Sequence, residues 1–339
     1  MFWLGSVLAR DILCVQRLFK MLAAVGTALA LITIIQNKTG ILLFGSARYD
    51  ASLASASNFS LLQGGDVYRL GSFFVNPDWN GAFFATILFI PLGLLIASNV
   101  LWEKILYLLE ACIILPALLF TYSVGSWLSA GIGIVVFVVL LGHMRYRLWI
   151  TAFLAAMTGI LLIWFPDQVA LLLQHGEDPS VILLRSGAWK TAIHIMQTFP
   201  LTGIGLGLQI YMLRAEPYRV PEQHQILAHP HNSYLELGAM AGIPVLVLFV
   251  ALVLLALCLA LRTWAHGDGR QRSLLAGGMA AVIALSVNSL SVNVWTLPPL
   301  AAFGWLILGI ASSPLLIKSL TIKSLTNQKE MLTERHCDE

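Results

Sequence analysis

The residues of this chain best able to do chemistry lie close together, in His229-Pro230-His231-Asn232-Ser233-Tyr234-Leu235-Glu236 and in the Arg185-Ser186-Gly187-Ala188-Trp189 run upstream. Two histidines, an amide and a carboxylate stand at the end of a long polar stretch, just where a strongly apolar run begins. Histidine titrates nearest neutral pH, so an imidazole at such a boundary is suited to general-base work. His224, His229 and His231 with Glu222 and Glu236 also offer zinc-compatible atoms. The spacing follows no standard metal motif, however, and Pro230 splits the pair. Imidazoles that merely satisfy loop carbonyls are the structural alternative. Arg69, Arg185, Arg214 and Arg219 bring guanidinium groups suited to bidentate phosphate contacts. Against that, Arg214 and Arg219 have Glu216 and Glu222 as surface partners, and Arg185 could simply snorkel to an interface. Gly203-Ile204-Gly205-Leu206-Gly207 lacks the strand–turn–helix setting of a dinucleotide fingerprint and reads as a turn that lets backbone pack closely. Ser126 and Ser129 have no acid–base partner nearby in sequence, and Glu110 sits inside an apolar run.

The elements that must position these groups are membrane helices. Of 339 residues, 58% are hydrophobic and 11% charged, far from the roughly 25% charged of a soluble domain. The expected fold is all-α, a polytopic helical membrane protein. A span needs about 20 apolar residues, and eight candidates lie near 21–36, 81–98, 105–122, 126–142, 148–165, 234–261, 274–292 and 295–312. A net charge of +3 without a basic stripe gives no reason to expect nucleic acid. Cys14, Cys112, Cys258 and Cys337 share no polar loop, so neither a disulfide nor a cysteine metal site is expected. With the N-terminus cytoplasmic, thirteen of the twenty Lys and Arg fall inside, including Arg145 and Arg147 on one short loop and Arg262, Arg270 and Arg272 on another. Both termini are then cytoplasmic, and the stretch before the first apolar run is an uncleaved anchor.

Four regions follow: 1–165, with N-terminal spans and a first outer loop at 37–80; a large outer loop at 166–233; C-terminal spans at 234–312; and a polar tail at 313–339. Within the large loop, Asp178-Pro179 opens a helix expected to run to about Thr198 and to lie on the membrane face. Ile182, Leu183, Trp189, Ile193 and Met196 alternate along it with Arg185, Lys190 and His194.

Arg185-Ser186-Gly187-Ala188-Trp189, then Phe199-Pro200-Leu201-Thr202-Gly203-Ile204-Gly205-Leu206-Gly207, then His231-Asn232-Ser233-Tyr234-Leu235 leading to Gly242-Ile243-Pro244, resembles the O-antigen ligase and O-antigen polymerase family of bacterial inner membranes. Arg69-Leu70-Gly71-Ser72-Phe73-Phe74-Val75-Asn76-Pro77-Asp78 is similar to the family's earlier outer segment. The resemblance implies a metal-independent, cofactor-free glycosyltransferase of the inner membrane, working at the periplasmic face. Such an enzyme passes a glycan from undecaprenyl diphosphate to an acceptor hydroxyl with inversion. It implies His231 as the base and Arg185 on the departing diphosphate. Arg69, Arg214, Arg219, His229, Asn232 and Trp189 are the further substrate contacts. Membrane lipids, the lipid-linked donor and a lipid or glycan acceptor are the implied partners.

The pattern departs at Ser126-Trp127, where the family has Ser-Arg, and at Val245, where it has a small or hydroxylated residue. The family also has more spans, so N-terminal helices are expected to be missing, through truncation or a shorter subfamily. Ligation of O-antigen onto lipid A core is the first function implied, and polymerisation by the same chemistry the second. From other classes come a transporter or flippase of lipid-linked or anionic substrates and an inactive accessory remnant. A transporter would place polar groups mid-span, as Glu110 is placed.

Overall fold

The computed structural model describes residues 1–39, 72–74, 76–141, 144–164, 166, 170, 179–221, 223, 229–316 and 318. The described part is all-α. A short helix α1 (Phe2–Leu8) precedes α2 (Ile12–Thr39). After a 3-10 turn at Ser72–Phe74 come α3 (Pro77–Ile87), α4 (Phe89–Ala97), α5 (Leu101–Leu119), α6 (Val124–Leu140) and α7 (Met144–Trp164). The large loop supplies α8 (Pro179–Thr198) and α9 (Leu208–Arg214). The chain continues through α10 (Ser233–Ala241), α11 (Ile243–His266), α12 (Gly269–Asn288) and α13 (Pro298–Ala311).

Among the described residues, four helices are long and apolar enough to cross a membrane: Ile12–Gln36, Pro77–Ala97, Ile243–His266 and Pro298–Leu316. The protein is thus a multi-pass helical membrane protein, and these criteria support four of the eight expected spans. The remaining windows are helical too, as α5, α6, α7 and α12. Glu103, Lys104 and Glu110 dilute the apolarity of α5, and α6 has 17 residues.

Helix α12 is the axis of the bundle, packed against α3, α4, α6, α11 and α13. It qualifies by size rather than apolarity: Ala276, Gly277, Gly278, Ala280, Ala281 and Ala284 are all buried, and small side chains let backbones approach where lipid supplies no hydrophobic drive. Asp268 caps its start in a reciprocal capping box with Gln271. Helix α11 is the opposite case. It is the most apolar candidate span, yet only 17% of its apolar window is buried, against 94% for Pro77–Ala97. Val247, Leu248, Leu254 and Leu255 face outward, as lipid-facing side chains do.

Several boundaries differ from the sequence expectations, each for a local reason. The first span starts at Ile12 rather than near 21, so Arg17 and Lys20 lie on the helix. Lys20 Nζ there meets Glu103 Oε1 at 2.6 Å. The second begins at Pro77, within the expected outer loop, because Asn76 accepts from the Asp78 N–H and Pro77 occupies the first turn. The expected span 234–261 is broken into α10 and α11 at Gly242, whose φ of +91 ends one helix and re-aims the next. Helix α1 was not expected. It lies along α13, and Ser313 Oγ ties it down through the Ser6 and Ala9 carbonyls.

Candidate functional site

The site is built on the connection between α12 and α13, residues 289–297, which clamps two segments far apart in sequence. From the histidine loop, the Ser233 N–H donates to Ser289 O at 2.9 Å, and Ser233 Oγ accepts from the Trp295 N–H at 3.0 Å. Asn232 Nδ2 donates to Leu290 O at 3.0 Å. From the first turn of α3, Trp79 Nε1 donates to Asn293 Oδ1 at 2.9 Å. Below this platform Asn288 Nδ2 donates to Ser126 Oγ and Ser129 Oγ, so a polar layer closes this end of the bundle.

Asn232 caps α10 with its side-chain oxygen, accepting from the Tyr234 and Leu235 N–H groups at 3.0 and 3.1 Å. Its amide is therefore engaged with backbone, and it fixes His231 through the chain rather than through the imidazole. His231 has φ +52, a left-handed conformation uncommon outside glycine. It is held there by its own N–H, which donates to His229 Nδ1 at 3.1 Å. The two rings stand 4.2 Å apart between centroids. His231 Nδ1 is buried without a protein partner.

Arg185 reaches the same place from α8. Its Nη2 lies 3.2 Å from Asp78 Oδ2, in a pair whose side chains are 27% and 11% exposed. Burial pushes His231 down to about 4; the Arg185 guanidinium lowers it further and the Asp78 carboxylate opposes both. His229 is pushed down to about 3 by burial, then by His231, again with Asp78 in opposition. Both imidazoles are neutral at physiological pH, and both sense the same carboxylate.

Helix α8 runs over Pro179–Thr198, the range its N-terminal proline and the stop at Pro200 imply. Its face buried within the protein is made mostly of small residues. Gly187, Ala188, Thr191, Ala192 and Ile195 are buried, whereas Leu183 and Ile193 are 53% and 43% exposed. The small residues are needed because Gln223 packs against Gly187, and Tyr218 and Val220 lie close by. Thr191 Oγ1 donates to Gln223 Oε1 at 2.6 Å, and His194 Nδ1 lies 3.0 Å from Tyr218 O. Trp189, one turn beyond Arg185, is half-buried with its indole N–H unpartnered.

The glycine run docks on the far end of α10. The Ile204 and Gly205 N–H groups donate to Ala239 O and Met240 O, both at 2.9 Å, and the Ile243 N–H donates to Pro200 O at 2.7 Å. A side chain on Gly203, at φ +61, would run into the Met240 backbone. Close backbone packing is what this sequence achieves.

Of the residues singled out by sequence, the fold brings His229, His231 and Arg185 into one electrostatic cluster, with Asn232 as its support. Arg214 Nη1 instead donates to Ile204 O at 2.9 Å, and Arg219 donates to Glu216 Oε1 and Gln223 O, both at 2.8 Å. Both are engaged within the loop's own fold. Arg69, Glu222 and His224 lie outside the described residues. Among the described residues no group of three or more His, Cys, Asp or Glu could hold a metal ion. The sequence did not reveal Asp78 or the 289–297 platform. The available signals were the Asn76-Pro77-Asp78 helix start and the polar run Asn288-Ser289-Leu290-Ser291-Val292-Asn293 between two apolar windows.

No curated protein matches the chain. Residues 111–250, from within α5 to within α11 and therefore including Arg185 and the histidine loop, match the family model described as O-antigen ligase.

Proposed function

We propose that this protein transfers a glycan from undecaprenyl diphosphate to an acceptor hydroxyl at the periplasmic face of the bacterial inner membrane, without a metal or cofactor. The observation that carries the proposal is the convergence of Arg185 and His231, 46 positions apart in the sequence, on one partly buried cluster within the matched segment. A neutral imidazole can accept a proton. His231 takes the acceptor's hydroxyl proton as the oxygen attacks the anomeric carbon from the face opposite the diphosphate. The carbon–oxygen bond to the diphosphate breaks with inversion, and the electron pair leaves on undecaprenyl diphosphate.

Arg185 neutralises the charge that grows on that leaving group, and the unpartnered indole N–H of Trp189 is a further donor one turn away. Because a sugar diphosphate already leaves readily, positioning and charge stabilisation carry most of the barrier. His229 and Asn232 hold His231 in place. Arg69 remains a second cation for the diphosphate, while Arg214 and Arg219 shape the loop. O-antigen ligation onto lipid A core is the first acceptor chemistry, and polymerisation its alternative.

In this arrangement α5, α6, α7 and α12 cross the membrane beside the four longest apolar helices, giving eight spans. Both termini are cytoplasmic, and the site lies outside. The decisive experiment is His231→Ala in a transfer assay with the lipid-linked donor. Transfer should fall by roughly 10²–10⁴-fold at normal protein level, and full retention would remove His231 as the base.

A further inference from the structure

The large loop carries an apolar surface for which the transfer chemistry has no use. From Phe199 to Leu213 no side chain is charged, although His194 and Arg214 stand on either side. Little of this stretch is core. Ile204 and Tyr211, with Ala215 just beyond, share one small cluster with Ala192 and Ile195 of α8 and Ala239 and Met240 of α10. Helix α9 buries only Tyr211, and its Leu208, Ile210, Met212 and Leu213 are all exposed. Leu213 is 80% exposed, and Leu201 and Leu206 on the preceding turn are 74% and 65% exposed. Ile210 joins helix to turn, since a side chain on Gly205 or Gly207 would touch it. Scattered exposed leucines are ordinary, but a helix apolar nearly all round belongs where something apolar surrounds it.

We infer that the turn at 200–207 and helix α9 are inserted among the acyl chains of the leaflet in which α11 begins, so that the bilayer itself covers this surface. Three bonds hold the turn at the level of that beginning: Ile204 and Gly205 N–H to Ala239 O and Met240 O, and Ile243 N–H to Pro200 O. Leu201 there lines one groove with Pro244, Val247 and Leu248 from the first turns of α11. Helix α11 is the most apolar and the least buried of the four candidate spans. Whatever covers its exposed Val247 and Leu248 therefore meets Leu201 as well, and around a membrane span that is lipid. Irregular backbone is tolerated at such a place only where its polar groups are satisfied within the protein. The turn meets this condition further: the Gly203 N–H donates to Phe199 O at 3.0 Å, and the Ile204 carbonyl accepts from Arg214 Nη1 at 2.9 Å. The inference stands on the membrane fold alone and not on the transfer mechanism. Because the small core beneath the surface is shared with α8, insertion fixes the height over the lipid of the helix that carries Arg185.

Quenching of a fluorescent label in the full-length protein tests this. With Cys14, Cys112, Cys258 and Cys337 replaced by alanine, a small fluorophore is attached through Leu201→Cys, Leu206→Cys or Leu213→Cys in separate variants, and through Pro217→Cys, at an exposed position beyond Arg214, as the reference. Each protein is reconstituted into vesicles of phosphatidylethanolamine and phosphatidylglycerol, with plain or dibrominated acyl chains and with iodide on both sides. Labels at 201, 206 and 213 should lose fluorescence to the brominated chains and keep it in iodide, and the label at 217 should do the reverse. Iodide quenching at 206 and 213 equal to that at 217 would mean a surface open to water, and overturns the inference. Shielding from both quenchers overturns it as well, since a second copy of the chain or another protein would then be the cover. Bromine quenching at 201 alone would confine lipid to the groove beside α11 and remove the insertion of α9. A position at which the label prevents folding, seen as lost yield, leaves the other two to decide.

Discussion

The two ends of the nine-residue helix α10 are only a few turns apart and are built on opposite principles. At the C-terminal end the backbone is fully engaged. The Ala239 and Met240 carbonyls receive N–H groups from Ile204 and Gly205, the Ile243 N–H returns to Pro200, and Gly242 turns the chain into α11. Beyond lies an apolar groove between Pro200, Leu201, Pro244 and Val247. At the N-terminal end Asn232 likewise satisfies the helix, but hydrogen-bonding capacity is left over: His231 Nδ1 is buried without a partner, and Arg185 makes a single contact with Asp78. A buried polar group left unmade costs free energy, typically about 1–3 kcal/mol. In the transfer proposed above, the second is the end that meets a ligand. The first is a joint.

Substitutions can break this comparison from either side. After His231→Ala, the largest effect is expected at the joint. Gly242 has φ +91 and ψ 164, a region open essentially to glycine alone, and a side chain there would meet the Leu201 carbonyl. Gly242→Ala should cost about 2–4 kcal/mol, read as a lower unfolding temperature in detergent and poor accumulation. A stable Gly242→Ala protein would show that the joint tolerates rearrangement.

At the other end Arg185→Ala should leave stability nearly intact and raise the donor KM by roughly ten- to a hundredfold, with Arg185→Lys keeping part of the affinity. Equal and negligible effects of the two variants would make Arg185 an interfacial side chain and remove the contrast between the ends. Asn232→Ala should be the mildest, costing about 1 kcal/mol for the lost cap. Its transfer defect should exceed what that loss of stability explains, because the bond to Leu290 that anchors the histidine loop goes with it. Activity that merely tracks stability would reduce Asn232 to a helix cap.

Much of the fold was legible. Apolar windows located the four helices long and apolar enough to cross a membrane because the bilayer requires long apolar segments, and Asp178-Pro179 with Pro200 bracketed α8 because local backbone chemistry sets helix ends. Burial was not legible. The bulky residues Leu183 and Ile193 turn outward while Ala188 and Ala192 turn in, and the most apolar helix, α11, is among the least buried. In water an apolar side chain points to the core. Where lipid is as apolar as leucine, close packing selects small residues instead.

The candidate site divides in the same way. Residue type and local spacing singled out His229, His231, Asn232 and Arg185, since each is defined by its own chemistry and the turn it sits on. That Arg214 and Arg219 serve loop oxygens, and that Asp78 joins the site, depended on contacts spanning up to 107 positions. By itself the sequence determined that the chain is built of apolar membrane helices, where α8 begins and ends, and which side chains can hold a proton or an anion, because these follow from composition and from neighbours along the chain. Only the tertiary structure decided which of those side chains meet. Charges and hydrogen bonds act over a few ångströms in space, and the platform at 289–297 that brings α3 and the histidine loop together is bonded to residues more than fifty positions away.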